Sequence, residues 1–377
     1  MSKAVDWRDI ASLLFGTSKY GTTLGHLDKC RRALIELTLR LRGRTLNTER
    51  PKMTLLDPAR STLDTGLRTA LSRTTKRRKG SKVSSIAPDL SVPAIAPRPF
   101  LKWAGGKRGL LAEIRERTPN FDGKYIEPFL GAGAVLFDQD PQLTKVVSDY
   151  NRDLIDVYEV IRDNPEELIA TLRAHVNTKE HYYEVRAWDR APNYYKARTK
   201  VERAARFCYI NRLTYNGLYR VNSAGYVNSP YGRHQNPDWV QEATINAVSA
   251  FLNEQDYEGN YRTSILSGDY IHALNQAVPG DWVYCDPPYA STWTGYQSGG
   301  FTVQHQTELR DALLDLTRRG IPFLLSNSDV PLIRELYGDE SVFHTDIVTV
   351  RRAIGSNVES RGKVNEVMIN NYRAVGL

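Results

Sequence analysis

Hydrophobic positions change character near residue 99. Beyond that point short apolar runs alternate with segments whose apolar residues recur at helical spacing. Tyr125-Ile126-Glu127 reads as a strand entering Pro128-Phe129-Leu130-Gly131-Ala132-Gly133, and Val146-Val147 as a strand closed by Ser148-Asp149. Residues 154–161 and 165–175 read as helices, with Pro165 suited to a first helical turn. Residues 180–262 are mixed and rich in Tyr, Arg and Asn. Trp282-Val283-Tyr284-Cys285 reads as a strand running into Asp286-Pro287-Pro288-Tyr289, followed by a helix at 307–318 and strands at 322–325, 342–350 and 366–370. Strands alternating with helices predict an α/β sheet. Upstream, 26–43 has amphipathic helical spacing with Gly43 as a stop, 61–71 is weaker, and 72–97 reads as a Ser-, Lys-, Arg- and Pro-rich linker. No internal repeat is evident.

Charge sharpens this division. The first 100 residues hold 20 Lys and Arg against 8 Asp and Glu, and the remainder 31 against 35. The net charge of +8 therefore belongs to the N-terminal segment, which includes Lys76-Arg77-Arg78-Lys79. Such a segment suits a polyanion partner, and equally a solvated tail. Cys30, Cys208 and Cys285 are too few and too scattered for a disulfide framework or a zinc site, and read as reduced thiols in a cytoplasmic protein. The histidines lack metal-ligand spacing. No apolar run reaches the ~20 residues of a membrane span, and the start does not read as a signal peptide.

Four stretches carry candidate chemistry. Gly131 and Gly133 after a strand permit a tight turn and close ligand approach, and Asp149 ends the next strand, where a carboxylate bonds ribose hydroxyls in nucleotide-binding sheets. The third glycine of a dinucleotide fingerprint is missing, which argues against NAD. In Asp286-Pro287-Pro288-Tyr289 the prolines remove two backbone donors and leave carbonyl acceptors beside the Asp carboxylate. A carboxylate and a carbonyl can take both hydrogens of an exocyclic base amine, while Tyr289 stacks on the base. Phe100-Leu101-Lys102-Trp103-Ala104-Gly105-Gly106-Lys107 offers freed backbone, a stacking face and two lysines, but is no P-loop. The run 209–220 interleaves aromatic, amide and guanidinium groups suited to base contacts; a polar helix end would read the same.

In this order the motifs F-L-K-W-A-G-G-K (100–107), I-E-P-F-L-G-A-G (126–133), S-D-Y-N-R-D-L (148–154), Y-N-G-L-Y-R-V-N (215–222), Y-C-D-P-P-Y (284–289) and L-S-N-S-D (325–329) resemble the Dam-type, D12-class DNA adenine N6-methyltransferases of bacteria and phages, from about residue 99 to 372. The resemblance implies a Rossmann-like seven-stranded sheet that uses S-adenosylmethionine (SAM). It also implies a SAM-binding catalytic domain at 99–157 plus 263–377, an inserted helical target-recognition domain at 158–262, a partly helical extension at 1–71 and a basic linker at 72–98. Trp103, Lys107, Phe129, Gly131, Gly133, Asp149, Asp269 and Asp286 would line the cofactor, and Asp286, Pro287, Pro288 and Tyr289 would hold the target adenine. Lys102, Arg212, Tyr215, Asn216, Leu218, Arg220 and Pro230 fall where family members read or wedge double-stranded DNA, in the pattern of GATC readers. Leu213-Thr214 departs from the Tyr-Gly pair expected of enterobacterial members, which leaves room for altered specificity. No metal is implied.

The alternatives are an amino methyltransferase acting on cytosine N4, RNA adenine or a protein amide, and an inactive DNA-binding protein on the same fold. Asp rather than Ser or Asn at 286, with the 209–220 stretch, favours DNA adenine, and the intact motif speaks against an inactive protein. Residues 1–98 stay open among a DNA-binding arm, a fusion remnant and an over-extended start, with Met53 as an internal one. Housekeeping, restriction-linked and phage anti-restriction enzymes would look alike.

Overall fold

The computed structural model describes residues 95–290, 300–351 and 363–372 of the 377-residue chain. The expected helices at 26–43 and 61–71, and all of the linker before residue 95, lie outside them. Seven strands, β1 Tyr125–Glu127, β2 Lys145–Asp149, β3 Thr263–Ser267, β4 Trp282–Cys285, β5 Phe323–Ser328, β6 His344–Arg351 and β7 Lys363–Asn370, form one sheet in the order β3-β2-β1-β4-β5-β7-β6. The first five in this order are parallel; β7 pairs antiparallel with β5 and with β6. The α/β expectation holds. β3 escaped the hydropathy reading because it is an edge strand that exposes Ser264 and Ser267.

The chain winds outward from β1 to β2 and β3, then returns to the other side of β1 as β4 and β5. Order reverses between β1 and β4, so the loops leaving their carboxyl ends diverge and open a crevice, the usual ligand position in such sheets. The loop after β1 carries Gly131 and Gly133, and the loop after β4 carries Asp286. Side chains alternate across the central strands. Tyr125, Val147, Trp282, Tyr284 and Leu324 join one core, while Ile126, Val146, Val283, Cys285 and Leu325 join the other. Burial on both faces explains why these strands read as unbroken apolar runs.

Local signals set the helix ends. The Asn151 side chain accepts from the Leu154 amide at 3.1 Å and starts Arg152–Asp163; Pro165 opens Pro165–Arg173. Thr199 and Glu202 form a capping box for Lys200–Leu213. Thr302 caps Val303–Arg318, which therefore begins four residues before the expected 307. Between β2 and β3 run Pro165–Arg173, Lys179–Arg186, Tyr194–Ala197, Lys200–Leu213 and Glu242–Leu252. They share a core with the sheet: Phe207, Tyr209, Val248 and Phe251 cluster with Tyr125, Val147 and Trp282. Helix Arg152–Asp163 passes without interruption through the expected 157/158 boundary.

One side chain couples this helical layer to the segment before β1. Asn211 is fully buried; its Oδ1 accepts from the Lys102 amide and its Nδ2 donates to the Lys102 carbonyl, both at 2.8 Å. Asn211→Ala leaves two backbone groups without these partners. It should lower stability by about 1–3 kcal/mol, read as a lower urea midpoint at unchanged slope. An unchanged midpoint would show that water replaces the clamp.

Candidate active site

The Asp286 carboxylate emerges from β4 into the crevice with both oxygens engaged. Oδ2 lies 2.7 Å from Lys107 Nζ, and Oδ1 accepts from Ser326 Oγ at 2.9 Å. Lys107 also donates to the Gly105 carbonyl at 2.6 Å and sits 4.9 Å from the centre of the Tyr289 ring. Tyr289 donates from its hydroxyl to Glu366 Oε2 at 2.6 Å. The Pro288 carbonyl accepts from Gln306 Nε2 at 2.9 Å, and Gln306 Oε1 in turn accepts from Asn327 Nδ2 at 3.2 Å. Burial raises the Asp286 pKa above the ordinary carboxylate value, while Lys107 and the Ser326 hydroxyl oppose that rise. Glu127, at the end of β1, is driven well up by burial, although the Tyr125 hydroxyl donates to it at 2.8 Å. Burial, aided by the Asp286 and Glu366 charges, also keeps the Tyr289 phenol protonated.

The glycine turn forms the neighbouring wall. Gly131 and Gly133 adopt φ of 51° and 70°, and a Cβ on Gly133 would lie 2.8 Å from the Tyr158 hydroxyl oxygen, so a larger residue meets both strain and a clash. A Cβ on Gly131 would lie 3.0 Å from Trp103 Cδ1, which places the indole over the turn. The Trp103 ring also stacks with Phe207 and Tyr219. Asp149 accepts from the Gly131 amide at 3.0 Å and the Asn151 amide at 2.9 Å. Burial raises its pKa against those two bonds. Each oxygen keeps a second lone pair for a hydroxyl. Phe129 stacks on Tyr270 at 5.1 Å and meets Phe301 edge-on at 6.0 Å. Asp269 is exposed and caps the short helix Tyr270–Leu274; the preceding Gly268 donates its amide to the Asp149 carbonyl at 3.0 Å. Of the expected cofactor set, Trp103 and Asp149 meet the Gly131 turn, Asp269 caps its own helix, and Lys107 pairs with Asp286.

The expected DNA-reading residues gather beyond the end of Lys200–Leu213. A bridge between Thr214 and Tyr231 and another between Val221 and Val227 tie this loop. Tyr215 is 56% exposed and so is free to reach outward, and Pro230, whose carbonyl accepts from the Tyr215 amide at 2.9 Å, is exposed beside it. Asn216 holds a left-handed φ of 54°, tolerable for Asn and unusual for other side chains. Ser229 Oγ accepts from the Arg220 amide and donates to the Leu218 carbonyl. Lys102 Nζ donates to the Arg212 carbonyl at 3.3 Å, and both residues line one open cleft with His234 and Asp238. Burial lowers the pKa of each, and Arg212 further lowers that of Lys102. Asp238, in the same cleft, opposes the lowering of Arg212.

Sequence reasoning gave no role to Ser326, Glu366 or Gln306, and Asn211, inside the run offered for base contacts, is instead buried on the Lys102 backbone. Ser326 lies inside a motif already singled out. Glu366 left a faint signal as a carboxylate within the apolar run Val364 to Ile369. Among the described residues no cluster of potential metal ligands occurs, and no helix is long and apolar enough to cross a membrane.

A mostly parallel seven-stranded sheet with a glycine turn after β1, a carboxylate closing β2 and Asp-Pro-Pro-Tyr after β4 is an α/β fold with its candidate site at the point where strand order reverses. Residues 103–352 match the D12 class N6 adenine-specific DNA methyltransferases, and the chain belongs to this family. It is 42% identical over 282 residues to the type II methyltransferase M1.LlaDCHI of Lactococcus lactis subsp. cremoris, covering 73% of this chain and 95% of that one. It is 34% identical to the DNA adenine methylase of Escherichia coli K12, over 72% of this chain and 94% of the relative. The DNA N-6-adenine-methyltransferase of Escherichia phage P1 is also 34% identical, over 72% of this chain and 35% of the phage protein. The protein is an adenine-specific DNA methyltransferase.

Proposed function

We propose that the protein transfers the methyl group of SAM to N6 of an adenine flipped out of duplex DNA, within GATC. The observation that carries this reading is Asp286 at the carboxyl end of β4, across the crevice from the glycine turn. A paired base hides its amine, so extrusion must precede chemistry at a cost of roughly a few kcal/mol. Asp286 accepts one amine hydrogen. A proline carbonyl of the motif takes the other hydrogen; that of Pro288 already accepts from Gln306 and keeps a second lone pair. With both hydrogens held, the nitrogen lone pair is drawn out of conjugation with the ring. Tyr289 is the stacking wall, its ring fixed by Glu366 and capped by Lys107.

The residues present fit SAM. Asp149 retains acceptor capacity for ribose hydroxyls, the aromatic group of Phe129, Tyr270 and Phe301 suits an adenine with Asp269 at the head of the Tyr270 helix, and Trp103 lies over the Gly131 turn. Bound there, SAM supplies a methyl group activated by its sulfonium. We assign 99–157 with 263–377 to cofactor and catalysis, and 158–262 to target recognition. Tyr215 fills the gap left by the extruded base, with Pro230 beside it, and Arg220 reads a guanine edge. Lys102, Asn216 and Leu218 contact neighbouring bases, and Arg212 lies against the backbone.

Asp286→Ala should abolish methylation of a GATC duplex while circular dichroism persists; sustained turnover would overturn the amine-acceptor role. Arg220→Ala should relax discrimination at one guanine by about tenfold or more, since a bidentate contact contributes roughly 1–3 kcal/mol. Unaltered site preference in that variant would place readout elsewhere.

A further inference from the structure

Asp286 projects into a crevice, and a short carboxylate turns readily because its terminal torsion is broad and two-fold. Acceptance from an amine in fixed orientation needs that torsion held. The neighbouring strand supplies the restraint. β5 pairs in parallel with β4, with Tyr284 opposite Leu324 and Cys285 opposite Leu325. The next residue on β5, Ser326, therefore stands level with Asp286. Ser326 is fully buried, so its hydroxyl has no water to turn to. It donates to Asp286 Oδ1 at 2.9 Å and lies 3.1 Å from the Tyr284 hydroxyl. A carboxylate only accepts, so the single Ser326 proton points to Asp286, and the Tyr284 hydroxyl must then be the donor to Ser326 Oγ. The direction of the chain is fixed from Tyr284 to Ser326 to Asp286, and each bond polarises the next.

We propose that Ser326, backed by Tyr284, is a positioning residue for methyl transfer, holding Asp286 by Oδ1 so that Oδ2 is presented to the target amine. This rests on the reading of Asp286 as the amine's acceptor. In the present arrangement Oδ2 meets the Lys107 ammonium, a donor that the amine replaces or shares. Other charged and titratable groups also act on Asp286: Lys107 ahead of the sheet, Glu127 on β1, Tyr284 on β4, Tyr289 in the following loop and Glu366 on β7. Of these the ammonium favours the ionised carboxylate and Glu366 disfavours it, while Asp286 in turn helps to raise Glu127. The Ser326 bond favours the ionised carboxylate too. Removing that bond raises the Asp286 pKa, and the acid limb of activity moves to higher pH.

The test compares Ser326→Ala, Tyr284→Phe and the double variant with the parent protein, by kcat, KM for SAM and pH profile on a GATC duplex, with Asp286→Ala as the reference. Ser326→Ala should lower kcat roughly ten- to a hundredfold, since hydrogen bonds to charged groups are among the stronger ones, with KM for SAM within about threefold. Its acid limb should shift upward by about one pH unit. Tyr284→Phe should shift the limb the same way by less. The double variant leaves no orphaned hydroxyl and should melt near the parent temperature, so misfolding cannot mimic the effect. A merely structural Ser326 would change the melting temperature and leave the pH limb in place, and that result overturns the proposal. If Asp286→Ala itself stays active, the underlying reading fails instead.

Discussion

A carboxylate withdrawn from water beside other carboxyl groups tends to take up a proton unless something favours its ionised form, and a protonated acid is the weaker acceptor for an amine hydrogen. Asp286 is in that position, with Glu127 and Glu366 nearby. Lys107 and Ser326, at 2.7 and 2.9 Å, supply the opposing interactions. Each arrives from a different element. Lys107 comes from the turn ahead of the sheet, Ser326 from β5, and Asp286 from β4 at the point where strand order reverses. The topology is therefore part of the electrostatics: another strand order would separate the carboxylate from the groups that favour its charged form.

The loop proposed to read DNA is tied to the same site. Lys102 and Trp103 precede the sheet in sequence, yet Asn211 clamps the Lys102 backbone, and Trp103 stacks on Phe207 and Tyr219 while lying over the Gly131 turn. One short segment therefore joins the cofactor wall to the helix that carries Arg212 and leads into Tyr215 and Arg220. Because the helices between β2 and β3 share a core with the sheet, the residues proposed to read DNA stand on a packed scaffold rather than a tether.

Much of this was legible in the sequence because it was local. The central strands appeared as apolar runs, since parallel strands bury both faces, and the glycine turn and Asp-Pro-Pro-Tyr carry their chemistry within a few residues. What escaped was either marginal or distant. β3 is an edge strand with half its residues turned outward, so it lacks a hydropathy signal. The Val303–Arg318 helix began early because a histidine, not the more usual Glu, completes its capping box with Thr302. Ser326 and Asp286 are 40 residues apart, and Asn211 and Lys102 are 109 apart. Nothing in the local pattern around either partner announces the other; only strand register and helix packing bring them together.

The central claim is that this crevice methylates adenine N6 at a defined DNA site. Its most direct test is single-molecule modification sequencing of DNA from methylase-deficient cells that express the full chain. The account predicts N6-methyladenine at GATC on both strands. Methyladenine at a different motif would contradict the assigned reading residues while sparing the chemistry. Unmodified DNA, with the protein folded and binding SAM, would contradict the claim itself.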